Sequence, residues 1–107
     1  MSYDIWFEHP DIPNALDRNY TSNCSPMWAK AIGVNLTLGE LIETHPQAAE
    51  LATYLEPALK EMATNPTEYE TLNPANGWGD YDSALEYLWW ILRNCWRYPN
   101  ATVKVLR

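Results

Sequence analysis

Tyr3, Ile5 and Phe7 alternate with Asp4, Trp6 and Glu8, the period-two pattern of a strand with one face against a core. His9-Pro10 ends it. From Asp11 to Asn23 the chain is polar, carries Pro13 and three asparagines, and reads as a loop. Ser25-Pro26 then supplies a helix start, serine as cap and proline in the first turn. Met27, Trp28, Ala31 and Ile32 give that helix an apolar side, and Gly33 suits its C-terminal end. Val34 to Ile42 alternates poorly and reads as loop with one further helical turn.

Pro46 opens a longer helical stretch in which Leu51, Leu55, Leu59 and Met62 are spaced four, four and three apart, a single buried stripe. Pro57 interrupts it. Because Thr53-x-x-Glu56 has the form of a capping box, the sequence predicts a kink or two abutting helices here. Asn65-Pro66 closes the segment, Pro66 to Leu72 accommodates one helical turn, and Asn73-Pro74 leads into Asn76-Gly77-Trp78-Gly79-Asp80-Tyr81. Behind that loop the spacing predicts a helix from about Asp82 to Tyr98, capped by Asp80 or Asp82. Leu85, Leu88, Trp89, Leu92 and Trp96 define its expected buried face, with Trp90 off the stripe and Glu86, Arg93 and Arg97 opposite. Pro99-Asn100 stops the helix, and Thr102 to Leu106 reads as a closing strand with Val103 and Val105 on one face. The predicted fold is α+β. It is one domain over residues 1–107, with several short helices and one long C-terminal helix packed on a small sheet of the N- and C-terminal strands.

A chain of 107 residues is the size of one domain. Six Trp and seven Tyr against a single Phe bring polar handles that need partners when buried. Fourteen acidic and seven basic side chains leave a net charge of −7. Such a field repels nucleic-acid backbones and anionic membranes, so no direct nucleic-acid or membrane binding is expected. It serves solubility, or it forms an acidic face for a basic protein surface. Met1-Ser2-Tyr3-Asp4 has neither the basic nor the apolar part of a secretory signal, and no run approaches the ~18 apolar residues of a membrane span. The expectation is a cytoplasmic protein with Cys24 and Cys95 reduced, bridged only if the fold brings them together.

Two stretches carry candidate binding chemistry. Asn19 to Ser25 concentrates amide and hydroxyl groups just before a helix N-terminus, where a ligand's negative group can be received; a plain turn and cap would use the same residues. In the Gly77-Trp78-Gly79 loop the indole either plugs the core or forms the wall of a pocket, stacking a flat ring with Tyr81 or Trp90. The candidate ligand-binding residues are therefore Asn19, Tyr20, Thr21, Asn23, Trp78 and Tyr81. Catalytic patterns are thin. His9 and His45 each sit beside a proline without spacing that converges on a metal, Cys24 and Ser25 have no base in a recognisable pattern, and Asp80 with Asp82 could form an acid–base pair but also suits helix capping. No catalytic residue, metal or cofactor is assigned.

Tyr3-Asp4-Ile5, Asn19-Tyr20-Thr21-Ser22-Asn23 with Pro26-Met27-Trp28, Asn65-Pro66 with Tyr69, Asn73-Pro74-x-Asn76-Gly77-Trp78-Gly79-x-Tyr81 and Pro99-x-Ala101-x-Val103-x-Val105 resemble a family of small uncharacterised proteins of actinobacteria and their bacteriophages. The resemblance spans most of the chain, with Asn-Gly-Trp-Gly its most specific part. It implies a phage or mobile-element accessory protein and carries over no catalytic role. The leading expectation is a non-enzymatic binding module that takes a small planar or nucleotide-like ligand, or a peptide segment, in an aromatic and polar cleft. The alternatives are an acidic protein-interaction inhibitor, of anti-defence or nucleic-acid-mimic type, that docks on a host protein, and a small hydrolase built on Asp80 and Asp82. The cleft requires the Asn19–Ser25 and Trp78–Tyr81 stretches to face one space.

Overall fold

The computed structural model describes residues 2–12 and 16–107; Met1 and residues 13–15, within the expected Asp11–Asn23 loop, lie outside the described residues. β1 (Ser2–Glu8) is the middle strand of a three-stranded antiparallel sheet. It pairs on one side with β2 (Asp17–Thr21), Tyr3 opposite Tyr20 and Ile5 opposite Arg18, and on the other with β3 (Thr102–Leu106), Ile5 opposite Val105 and Phe7 opposite Val103. Tyr3, Ile5, Phe7 and Val103 are buried on the inner face, as the alternation predicts. The α+β class and the pairing of terminal strands hold.

β2 corrects the loop expected from Asp11 to Asn23. Its residues are polar because it is an edge strand, half-solvated along its length, and charged side chains on an edge discourage pairing with other chains. An edge strand of this kind has no apolar alternation to betray it.

The helices cover the inner face. α1 (Ser25–Ile32) begins with Ser25 inside the helix; Cys24 occupies the cap position without a side-chain bond, and Thr21 instead caps the preceding single turn, Ser22–Cys24. Gly33 ends α1 at φ 74°, its N–H bonded to the Ala29 carbonyl. α2 (Leu38–Thr44) is two turns rather than one, because Thr37 and Glu40 form a reciprocal capping box: the Glu40 N–H donates to Thr37 Oγ1 at 3.1 Å and the Thr37 N–H to Glu40 Oε1 at 2.9 Å. Thr53-x-x-Glu56 is no box. α3 (Ala48–Thr64) runs unbroken through Pro57, and the Thr53 hydroxyl donates back to the Glu50 carbonyl at 2.6 Å. Thr53 and Pro57 both lie on the exposed side of α3. α4 (Pro66–Glu70) is the expected single turn.

α5 (Tyr81–Arg97) is capped by Asp80, but its buried face is rotated from the expected one. Ala84, Tyr87, Leu88, Ile91, Leu92 and Cys95 are sealed, whereas Trp89 and Trp96 are 37% and 49% exposed. Trp90 is buried, edge-on to Phe7 and stacked on Tyr87. The centre of the core is Trp28, which packs against Tyr3, Tyr20 and Tyr87 and donates its indole N–H to the Ala84 carbonyl at 3.1 Å. Burying an aromatic of this size contributes roughly 1.5–3 kcal/mol, and the hydrogen bond removes the cost of an orphaned donor. The tyrosines are answered in the same way. Tyr87 Oη donates to the Arg18 carbonyl at 3.1 Å, Tyr81 Oη to the Met62 carbonyl at 2.6 Å and Tyr69 Oη to Glu61 at 2.9 Å. Among the described residues no buried side-chain N or O lacks a partner. Cys24 and Cys95 are both buried and unbridged; burial pushes the Cys95 thiol up to about 12.

Candidate functional site

The polar segment and the glycine loop do meet, and Gly79 is the joint. Its φ of +98° is left-handed, and a Cβ there would lie 2.8 Å from Thr21 Cγ2 and 2.9 Å from both Cys24 Sγ and Tyr20 Oη. Only a residue without a side chain permits that approach. Tyr20 Oη shares a 2.6 Å hydrogen bond with Ser83 Oγ and lies within 3.5 Å of the Asp80 backbone. Asp80 in turn accepts from the Ser83 N–H and from Ser83 Oγ, each at 2.8 Å. The Ser83 N–H holds the Asp80 carboxyl below the usual range, while burial raises the Tyr20 phenol and the Cys24 thiol above theirs. The joint is thus packed solid with hydrogen-bonded groups.

The six candidate residues take different directions from this joint. Tyr20 and Thr21 touch the loop. Asn19, next along the strand, faces the other side of the sheet, where its amide donates to Asp4 Oδ1 at 2.8 Å and to the Tyr3 carbonyl at 3.2 Å. Asn23 spends its amide on Thr21 Oγ1 at 3.0 Å. Tyr81 is buried in the core, its N–H held by Asn73 Oδ1 at 2.8 Å. Trp78 points outward and is 66% exposed; its N–H donates to Asn76 Oδ1 at 2.9 Å, a side-chain-closed turn, and Gly77 supplies the φ of +74° that the turn needs. The indole therefore neither plugs the core nor walls a pocket with Tyr81. It projects into solvent from the turn that Asn76 closes.

Beside the loop lies a cleft of about 220 Å³ lined by Glu70, Asn73, Asp80, Tyr81 and Asp82, a small concavity dominated by carboxylates. Asp80 is occupied as a helix cap, its carboxylate accepting from the Ser83 N–H and hydroxyl. His9 accepts the Asp11 N–H, and His45 contacts Thr44 and the Tyr54 ring. Among the described residues no group of three or more His, Cys, Asp or Glu side chains is placed to hold a metal ion, and no helix is long and apolar enough to cross a membrane.

A second concave surface is absent from the sequence-derived candidates. Leu59 and Ala63 of α3 with Asp82, Leu85, Glu86 and Trp89 of α5 line an apolar groove of about 330 Å³, and Trp89 continues into Trp96, edge to face at 5.7 Å. Its signal in the sequence is the second stripe Asp82, Glu86, Trp89, Arg93, Trp96, spaced four, three, four and three, which is helical but mixed in charge. The chain matches no protein-family model, no curated protein and no solved structure.

Proposed function

We propose that this chain is a non-enzymatic binding module whose recognition element is Trp78, and that it engages a basic segment of a partner protein. The exposure of Trp78 carries this reading. A 66% exposed indole on a loop packed tightly at Gly79 is available for contact, and Trp is enriched among the residues that carry binding energy at interfaces. Two residues along the chain stands Asp80, which with Glu70 and Asp82 lines the adjoining cleft. Indole and carboxylates together suit Arg or Lys, by cation–π contact and ion pairing. A phosphorylated planar ligand would stack on the same ring but bring its charge against three carboxylates, so the nucleotide-like version is the less favoured one. The net charge of −7 adds long-range attraction for a basic surface. The resemblance to small phage and actinobacterial proteins supports an accessory role in which such a surface belongs to a host protein.

The test is a titration followed by the Trp78 indole N–H resonance. An arginine-rich peptide should shift that signal in a salt-sensitive manner. Trp78→Ala should weaken the peptide about two- to five-fold, the equivalent of an exposed cation–π contact, and Asp82→Asn with Glu70→Gln should weaken it further. A shift with nucleoside monophosphates but not with the peptide would establish the planar-ligand reading instead, and an unmoved Trp78 signal in both titrations would overturn the site.

A further inference from the structure

The outward face of α5 is ordered by charge. At about 100° per residue, Trp89 and Arg93 fall within about 20° of Asp82 around the helix, and Glu86 and Trp96 within about 40° on opposite sides. All five are exposed, as is Arg97. From the N-terminal end the face runs acid, acid, tryptophan, arginine, tryptophan, arginine. Acids thus occupy its first half and arginines its second, with an indole between them.

Such a face is complementary to itself when reversed. We propose that two copies of this chain associate through α5, antiparallel about a two-fold axis that passes midway between Trp89 and Trp90. An isologous contact of this kind pairs residue i with residue 179 − i, a relation fixed by the position of that axis. Glu86 then meets Arg93 of the second copy, Asp82 meets its Arg97, and both pairs occur twice. The two Trp89 indoles adjoin at the axis. Trp96 of the second copy falls at the level of Ser83, on the Leu85 side of the helix. That is where the groove of Leu59, Ala63, Leu85 and Trp89, rimmed by Asp82 and Glu86, opens, so the knob and the hole are supplied by the same chain. Because those two carboxylates rim the groove, the charge pairs flank the apolar contact.

In a single copy, Glu86 holds Arg18 through two contacts, at 2.8 and 2.5 Å, yet remains 53% exposed and can accept a further donor. Arg93 and Asp82 have no ion-pair partner among the described residues. One helix and its flanking groove form an interface at the small end of specific complexes, so a monomer–dimer equilibrium is expected rather than a permanent dimer.

Sedimentation equilibrium over a concentration series should show the mass rising from 12.4 kDa toward twice that value, less steeply in high salt. Glu86→Arg alone and Arg93→Glu alone should each weaken self-association about tenfold or more, since each change enters twice across the axis. Mixing the two single variants in equal amounts should restore a dimer. In that heterodimer the two introduced side chains pair with each other on one side of the axis, and the unchanged Glu86 and Arg93 pair on the other. Trp96→Ala should weaken association, while the diluted, monomeric variant still unfolds cooperatively, its midpoint lowered only by the loss of the half-exposed indole's packing on Trp89. A wild-type chain monomeric at every concentration would overturn the proposal. So would single variants that dimerise normally, or a mixture that stays monomeric while both variants remain folded by circular dichroism.

Discussion

Replacing Gly79 by alanine should destabilise this protein far more than the same change at Gly77, the surroundings of a single added Cβ deciding the difference. Both glycines have positive φ, +74° for Gly77 and +98° for Gly79. An L-residue in that region costs about 1–2 kcal/mol, and for Gly77→Ala nothing else is lost, since a Cβ there meets no atom within 4 Å. At Gly79 the new methyl also collides with Thr21 Cγ2 at 2.8 Å and with Cys24 Sγ and Tyr20 Oη at 2.9 Å. None of the three can yield freely. Thr21 belongs to β2, Cys24 is sealed in the core, and Tyr20 Oη is tied to Ser83 Oγ at 2.6 Å. Overpacking of a well-filled site costs about 1–3 kcal/mol, which brings Gly79→Ala to a total loss of about 2–5 kcal/mol.

For a domain of about a hundred residues 1 kcal/mol moves Tm by about 4–8 °C. Gly77→Ala should therefore lower Tm by several degrees, and Gly79→Ala by about one and a half to four times as much. Thermal melts followed by near-ultraviolet circular dichroism, together with urea midpoints, read this directly. The double variant Gly79→Ala/Thr21→Ser removes the nearest colliding carbon while keeping the capping hydroxyl, and should recover part of the loss. Equal destabilisation by the two glycine variants, or no recovery in the double variant, would refute the claim that Gly79 is where strand and loop are clamped.

Asp80→Ala should cost about 0.5–2 kcal/mol as a lost helix cap, whereas Asp80→Asn keeps an acceptor and should cost less. Because the Ser83 N–H lowers the folded-state pKa of Asp80, its ionisation stabilises the fold fully above the ordinary value of about 3.9. That stabilisation is lost as pH falls through the lower folded value, so the difference in urea midpoint between wild type and Asp80→Asn should vanish in acid; a constant difference down to the lowest pH would contradict it. Trp28→Ala should cost about 3–5 kcal/mol, since it empties the core centre and removes the indole N–H bond to the Ala84 carbonyl. Trp78→Ala should change stability by no more than about 0.5 kcal/mol, and a large loss would mean that the indole is a structural plug.

Both terminal strands are legible from alternation, and the end of α1 at Gly33 and a cap at Asp80 or Asp82, of which Asp80 serves, from residue chemistry. α2 was equally available, since Thr37-x-x-Glu40 has the box signature that Thr53-x-x-Glu56 only imitates. What separates the two is position. Thr53 lies inside a helix whose stripe of leucines already runs past it, so its hydroxyl turns back to the preceding turn. The meeting of the polar segment with the glycine loop is also legible, because a glycine beside a large side chain suits a close approach of other atoms to the loop, as found at Gly79 and not at Gly77. Whether the joint leaves a cavity is not. That depends on where Thr21, Cys24 and Tyr20 send their outer atoms, and they fill the space.

The rotated face of α5 follows from β2, and the two differences have one cause. Leu85, Leu88, Trp89, Leu92 and Trp96 make as good an apolar stripe as Ala84, Tyr87, Leu88, Ile91 and Cys95; spacing alone cannot choose between them. The choice is made by polar handles. Tyr87 can be buried only if its hydroxyl finds an acceptor, and the acceptor is the Arg18 carbonyl on β2. Its ring is then covered by Tyr20 of the same strand, stacked at 5.1 Å, while Arg18 lies over the Tyr87 and Trp90 rings. Taken as a loop, Asp17–Thr21 offers Tyr20 to a ligand and leaves Tyr87 without a partner, so the leucine and tryptophan stripe appears the better core. Placed as an edge strand, the same residues turn Tyr87 and Trp90 inward and release Trp89 and Trp96 to the surface, where the self-complementary face of α5 arises.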